Sequence, residues 1–374
     1  RERCGVIFGN SLGGELKDDY ALRLGWPEIR EKMASSEVLK ALPTAQREQL
    51  LADLEKTYKE GLPEIDEDSM PGELANVIAG RIANAFDLRG PNFTTDAACA
   101  SSLAALQVAV KALQDRDIDL AITGGSDRSM NIPTYVKFCK IGALSPDHSS
   151  PFDDSANGFV MGEGAGVLIL KRLDEAVRDE DTIYAVIRGI GASSDGKGKG
   201  ITAPNPIGQR LALERAYAEA AVDPASVDLI EAHGTSTKVG DAVELETLSE
   251  FIGSGKRGDN GPIRVGSVKS MIGHLKSAAG AAAVIKAARA LHDGVFPPSL
   301  GYEKPREGVD LDQVPLRVQT ATEPWPRPKG GLRRAGVSAF GFGGTNFHVV
   351  LEEYAGQILA EAPAFAPTQA QVIP

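Results

Sequence analysis

Cys99, His233 and His274 are the side chains of this sequence placed to do chemistry, and each stands at a turn. Cys99 lies in D-A-A-C-A-S-S-L (Asp96 to Leu103), where the extended run Phe93-Thr94-Thr95 gives way to an Ala-rich helix. A thiol at a helix N-terminus sits in the positive end of the helix dipole, which favours thiolate over thiol. The small neighbours Ala97, Ala98, Ala100 and Ser101 let a substrate come close, as a nucleophile requires. A lone cysteine is more often a buried core thiol, but the histidines alter that balance. His233 stands at the exit of the apolar strand in L-I-E-A-H-G-T-S-T (Leu229 to Thr237), beside Gly234, Thr235 and Thr237. Lys269 and His274 lie in V-G-S-V-K-S-M-I-G-H-L-K-S-A-A-G (Val265 to Gly280), ahead of a second Ala-rich helix, Ala278 to Leu291. One histidine in such a turn reads as a structural residue. A Cys-His-His set on equivalent turns is hard to attribute to packing.

The elements that must position these turns repeat along the chain. Leu103, Leu106, Val110 and Leu113 recur at helical spacing and give the helix after Cys99 one apolar face. The first half carries G-V-I-F-G-N-S, T-T-D-A-A-C plus helix, L-A-I-T-G-G-S and A-G-V-L-I-L-K-R. The second carries D-L-I-E-A-H-G-T, R-V-G-S-V-K-S-M-I-G-H plus helix, R-A-G-V-S-A-F-G-F-G-G and F-H-V-V-L-E-E. Each series reads strand-turn, strand-turn-helix, strand-turn, strand. Apolar strands separated by helices predict an α/β fold with mostly parallel sheets covered on both faces. Two such halves, 1–182 and 183–353, placed back to back would bring Cys99 and His274 together across a pseudo-twofold axis. Residues 15–90 depart from the repeat as a charged, helical insertion, with a helix over Thr44 to Tyr58 and a capping-type start at Asp68-Ser69. The Ala/Pro-rich segment 354–374 reads as a linker.

The sequence resembles the β-ketoacyl synthases, the carbon–carbon bond-forming domains of fatty acid and polyketide synthases. The matching stretches are D-A-A-C-A-S-S-L, E-A-H-G-T-S-T-K-V-G-D and K-S-M-I-G-H-L-K-S-A-A-G. Pro151 to Asp153, G-F-V-M-G-E-G-A-G (Gly158 to Gly166) and G-V-S-A-F-G-F-G-G-T-N-F-H (Gly336 to His348) match as well. The resemblance implies the thiolase-like, five-layered αβαβα fold of two pseudo-repeated halves. It also implies an upstream strand and helix, without which the first half-sheet is expected to be incomplete. G-N-S-L-G-G-E, A-N-V-I-A-G-R-I-A-N-A-F-D and I-G-A-S-S-D-G-K-G-K-G-I are most similar to iterative type I polyketide and polyunsaturated fatty acid synthases. A modular polyketide synthase is the second possibility.

By that resemblance the chain is an acyltransferase that performs a decarboxylative Claisen condensation. Cys99 would take an acyl group from a phosphopantetheine thioester, an exchange between two sulfurs. A malonyl-type extender on acyl carrier protein would then lose CO₂, and the enolate would attack the Cys99 thioester. His233 and His274 would hydrogen-bond the enolate oxygen as neutral imidazoles, with Lys269 near both. The turn Gly341 to Asn346 would supply an N–H that pairs with that of Cys99 as an oxyanion hole, and Phe342 would gate the site. Thr235, Thr237, Gly341 and Gly343 would bind substrate, and Glu244 would orient Lys269 or the backbone. No bound cofactor or metal is expected, only substrate arms carried on phosphopantetheine.

Composition narrows the rest. With 374 residues, 42% of them hydrophobic, the chain can bury a large core. A net charge of −11 excludes a nucleic-acid surface, which needs a clustered basic face. No apolar run reaches the ~18 residues that span a bilayer, so no membrane is expected. Cys4, Cys99 and Cys139 have no C-x-x-C spacing and indicate a reducing, cytoplasmic setting; Cys4 and Cys139 lie in apolar runs and read as core. Neither G-E-G-A-G nor K-G-K-G has the spacing of a nucleotide loop. A thiolase-like enzyme would not need Lys269 and the G-H-L-K-S-A-A-G stretch. A chain-length-factor-like partner would lack Cys99, and a hydrolase would not need two histidines on separate turns. A twofold homodimer is expected through the edge segment Gly90 to Ala97, whose unpaired backbone would otherwise be exposed.

Overall fold

The computed structural model describes residues 1–198, 200–252, 261–305, 314–329 and 331–356. The first sheet holds β1 (Cys4–Gly9), β2 (Asn92–Thr95), β3 (Leu120–Asp127) and β4 (Gly164–Leu170) in the order β2-β1-β3-β4. The second is built from β5 (Val186–Ser194), β6 (Leu229–Glu231), β7 (Ile263–Gly266), β9 (Leu316–Val318), β11 (Arg334–Gly341) and β12 (Thr345–Glu352), in the order β5-β12-β11-β6-β7-β9. The short strands β8 (Val295–Phe296) and β10 (Glu323–Pro324) pair apart from both.

The repeat read from the sequence is present strand for strand. β1 lies parallel to β2 and to β3, and β3 is antiparallel to β4. In the same relation, β6 lies parallel to β7 and to β11, and β11 is antiparallel to β12. The difference is at the edges. β12 also pairs with β5, whereas β4 pairs with β3 alone among the described residues and exposes Val167 and Ile169.

Strand period and helix stripe build five layers. In β1, Val6 and Phe8 pack outward on Ala79 and Ala83 of the helix Asn76–Ala85. Ile7, on the other face, meets Ala105, Ala109 and Leu113 of the helix Ser101–Gln114. That helix and the helix Ala279–Asp293 form the middle layer. Leu103, Leu106, Ala283, Val284 and Ala287 share one cluster with Val337, Ala339 and Val349 of the second sheet. The helices Pro206–Ala220 and Lys238–Ile252 cover the outer face, packing Leu213, Ala216, Leu245 and Leu248 on Ile230, Val265 and Val350. Alanine and glycine dominate these contacts because backbones lie close: a Cβ on Gly191 would stand 1.9 Å from the Ala212 carbonyl oxygen.

Residues 15–90 are helical, and the expected helix runs over Thr44–Lys59. A helix does start at Ser69, but Asp68 makes no side-chain cap; instead Ser69 Oγ donates to Asp66 Oδ1. Cys4 is buried as expected, but Cys139 is exposed. Its helix, Ile132–Lys140, turns Phe138 inward against Phe159, and the next residue is rotated about 100° away. The proposed linker 354–374 falls, after residue 356, outside the described residues.

Candidate active site

The turn after β2 is held by short-range bonds. Ala98 takes a left-handed conformation at φ 49°, unusual for a residue with a Cβ. Asp96 Oδ1 accepts from the Ala98 N–H at 2.9 Å, and Ser101 Oγ accepts from the Ala97 N–H while donating to the Ala98 carbonyl. This places Cys99 in a single 3₁₀ turn leading into Ser101–Gln114. The turn at Gly341 packs directly against it, where a Cβ would stand 2.2 Å from the Ala97 carbonyl oxygen. From that turn the backbone N–H of Phe342 faces the Cys99 sulfur and favours its thiolate. Burial nonetheless pushes the Cys99 thiol up to about 11, outweighing the opposing pull of Lys269 and of the Phe342 N–H. The resting group is therefore a thiol, which corrects the expectation of a dipole-stabilised thiolate. Desolvation wins because Cys99 is only 9% exposed.

The turn after β7 occupies the equivalent place in the second half and delivers His274. Its ring lies 5.6 Å from that of His233, nearly perpendicular, and 4.8 Å from Phe159. The backbone N–H of Lys276 donates to His274 Nδ1 at 3.0 Å. In a neutral imidazole that bond leaves the proton on Nε2, and Nε2 has no protein partner among the described residues. Burial, assisted by Lys269, holds both imidazoles well below the ordinary histidine value, so both are neutral. The stretch Gly158 to Gly166 has a clear local role. It pairs with the histidine segment through His274 N–H to the Val160 carbonyl and Gly162 N–H to the His274 carbonyl.

Lys269 is buried beneath the two rings, and its Nζ donates to the His233 carbonyl at 2.5 Å. Burial lowers its pKa, against the pull of Glu231, Glu244 and Cys99. Glu244 orients the backbone rather than Lys269: its two oxygens accept from the His233 and Gly234 N–H groups at 2.7 and 2.8 Å. Asp241 accepts from the Phe152 N–H and ties that loop to the histidine loop. Burial pushes both carboxyls up to about 7. Asp153 braces its turn by accepting from the N–H groups of Ser155, Glu303 and Lys304.

Cys99, His233, His274, Thr235, Thr237, Glu244, Gly341 and Phe342 line one cavity of about 270 Å³. The hydroxyls of Thr235 and Thr237 lie 2.9 Å apart on its wall, and Phe342 is 40% exposed at its mouth. Gly343 does not line it. Its N–H donates to the Ile201 carbonyl and anchors the loop that closes one side. Such a cavity can hold an acyl thioester against a thiol while two neutral imidazoles and a backbone N–H face the reacting oxygens. A wider hollow of about 640 Å³, beside Asn10, Arg128 and Glu163, contains no cysteine or histidine. Among the described residues no His, Cys, Asp and Glu side chains gather as metal ligands would.

Sequence reasoning missed Phe159 and Phe340, whose rings flank His274 and His233, and the hydrogen bond from Asn346 to Asp195 at the cavity wall. It also passed over Lys276, although a lysine two residues past His274, inside a run of alanine and serine, was a visible anomaly.

Comparison with known proteins converges on one family. Residues 31–176 match the profile described as Beta-ketoacyl synthase, N-terminal domain, and residues 184–303 match Beta-ketoacyl synthase, C-terminal domain. Residues 305–372 match Ketoacyl-synthetase C-terminal extension. The chain is 41% identical over 94% of its length to a component of the polyunsaturated fatty acid synthase of Thraustochytrium. It is 42% identical over 81% of its length to a component of the phenolphthiocerol/phthiocerol polyketide synthase of Mycobacterium tuberculosis. These alignments span only 12% and 16% of the two relatives. Among solved structures, the ketosynthase from module 6 of the bacillaene synthase of Bacillus subtilis superposes with a TM-score of 0.73 at 40% identity. That match covers 78% of this chain and 53% of the other.

Proposed function

The chain belongs to the β-ketoacyl synthase family, with the thiolase-like fold of a ketosynthase, and from that premise we propose how its cavity condenses acyl groups. Cys99 attacks the carbonyl of an acyl-phosphopantetheine thioester; the pantetheine thiol leaves with the proton that Cys99 gives up. The backbone N–H groups of Cys99 and Phe342 receive the oxyanion. A malonyl thioester on acyl carrier protein then enters past Phe342, its pantetheine amides meeting Thr235 and Thr237. It loses CO₂, and its enolate oxygen accepts from the Nε2–H of His274 and from His233. The enolate carbon attacks the Cys99 thioester, the β-ketoacyl product departs on the carrier, and the released Cys99 sulfur takes a proton from solvent. Lys269 holds the His233 loop and, together with burial, keeps both rings neutral.

The observation that carries this reading is the free Nε2–H of a neutral His274, facing the same cavity as a nucleophilic thiol. Hydrolysis would need an imidazole that takes a proton, and burial opposes that charge. The test presents the protein with an acyl thioester and malonyl-carrier protein. Condensation predicts CO₂ release and a β-ketoacyl carrier of the summed mass; acyl release as free acid without CO₂ would refute it.

We further read the chain as one ketosynthase within a multidomain iterative polyketide or polyunsaturated fatty acid synthase. The alignment to the polyunsaturated synthase, across 94% of the chain, supports this. The 40% identity to the bacillaene module's ketosynthase favours modular use as the second reading. Mass spectrometry of acyl groups trapped on Cys99 separates them: successive chain lengths for an iterative enzyme, one for a module. Acyl carrier protein and neighbouring synthase domains are the partners of this reading, and the cytoplasm its location. No described helix is long and apolar enough to cross a membrane. A homodimer is proposed through β2, which forms an edge of the first sheet with Phe93 37% exposed. A Phe93→Asp variant that still scatters light as a dimer would remove that strand from the interface.

A further inference from the structure

His274 owes its proton placement to a backbone N–H, and that N–H belongs to a residue in a strained conformation. Lys276 has φ 51°, in the left-handed region that a lysine rarely adopts without support. Its own side chain supplies that support. Lys276 Nζ reaches back to Asp127 Oδ1 at 3.1 Å and to the Gly162 carbonyl at 2.7 Å, with both charged side chains buried. Asp127 stands at the end of β3, in the other half of the molecule. Its second oxygen accepts from Ser277 Oγ at 2.7 Å, and its first from the Ser129 N–H at 3.1 Å. Gly162, the other contact of Nζ, donates its own N–H to the His274 carbonyl. The lysine side chain thus grips the segments on both sides of the imidazole.

We propose that Lys276 and Asp127 are positioning residues: their buried ion pair holds the left-handed turn that keeps the Lys276 N–H on His274 Nδ1 and so fixes the hydrogen-bond donor at Nε2. The physical argument is geometric. Removing one partner of a buried pair leaves an uncompensated charge, and the least costly relief is for the turn to rotate the freed group toward solvent. The Lys276 N–H then leaves Nδ1, and either ring nitrogen can carry the proton. The carboxylate comes from the end of β3, so the pair also ties the His274 turn to the first half of the molecule. Its catalytic consequence rests on the condensation reading; the tautomer itself does not.

The experiment uses ¹⁵N-histidine-labelled protein, with the His274 signals assigned by their loss in His274→Gln, and needs no substrate. The wild type should show a single tautomer with the proton on Nε2. Lys276→Met and Asp127→Asn should each show a mixture, and CO₂ release from malonyl-carrier protein should fall about 10–100-fold in kcat with KM moved less than about twofold. Asp127→Asn keeps the side chain's size and one acceptor oxygen for the Ser129 N–H, while its amide can donate to Ser277 Oγ, whose own proton then goes to the Ser126 carbonyl. It therefore carries the test where Lys276→Met does not fold. Lys286→Met is the structural control. It breaks the buried pair of Lys286 with Glu231 at 2.8 Å, and should lower the melting temperature while leaving His274 on Nε2. A folded Asp127→Asn whose His274 stays wholly on Nε2 overturns the proposal. So does a Lys286→Met that scrambles the tautomer equally. An altered tautomer with no condensation activity in the wild type would instead discard the proposed function.

Discussion

The turn after β2 and the turn after β7 hold the same place in two copies of one topology, yet they are built from different materials. The first is small and nearly uncharged: alanines around Cys99, with Ser101 and Asp96 binding the backbone locally. The second is dense with buried charge, with Lys269 and Lys276 set among Asp127, Glu231 and Glu244. Under the proposed condensation, the contrast follows from what each turn must present. A nucleophile that accepts a bulky thioester needs open space and a backbone donor. An imidazole that must stay neutral benefits from ammonium groups nearby, because a second positive charge is then disfavoured. Those ammonium groups in turn need carboxylates, since isolated buried charges are too costly. One scaffold thus serves as an uncluttered floor in one half and an electrostatic cage in the other.

Substitutions at the two turns should separate these roles. The largest effect belongs to the nucleophile. Cys99→Ala should abolish acyl loading by roughly 10³-fold or more while keeping stability within about 1 kcal/mol, measured by mass spectrometry and thermal melting. Acylation of that variant at the wild-type rate would break the assignment. His274→Ala at the second turn and His233→Ala at the neighbouring exit of β6 should each slow decarboxylation of malonyl-carrier protein by about 10²–10³-fold, yet still allow Cys99 to be loaded. Loss of loading to the same extent as CO₂ release would erase the division between the halves.

A smaller effect is expected where the first turn meets the end of β11. Gly341→Ala would drive a methyl into the Ala97 carbonyl, costing about 1–3 kcal/mol and drawing the Phe342 N–H from the sulfur. Loading should fall about tenfold, in keeping with the loss of part of one donor's contribution. Unchanged loading would show that the contact is not needed. The mildest probe is pH. With the Cys99 thiol near 11, its thiolate fraction rises tenfold with each pH unit gained below that value. Alkylation by iodoacetamide should therefore climb steadily from pH 7 to 9. A plateau below pH 8 would mean that the dipole, not burial, governs the thiol.

Much of this was legible along the chain. The order of strands and turns foretold both sheets, and the helices after Cys99 and His274 appear within a few residues of where apolar spacing put them. These features are local: a strand of continuous apolar residues, a turn of small ones and a helix with one apolar stripe are each written in neighbouring positions. Cys99, His233, His274 and Lys269 could be chosen for the same reason, since each sits in a distinctive turn.

What the sequence could not hold was anything set by distance through space. The raised thiol of Cys99 depends on how completely other segments exclude water. The outward face of Cys139 depends on which side of its helix finds Phe159, and Gly343 misses the cavity because the Ile201 loop claims its N–H. Above all, the donor nitrogen of His274 is selected by the turn at Lys276, and that turn is steadied by Asp127, whose bond to Ser277 joins residues 150 positions apart. Sequence determined which groups the turns carry, because residue type and local spacing suffice for that. Their protonation and aim were decided by tertiary packing, because desolvation and ion pairing arise only where remote segments meet.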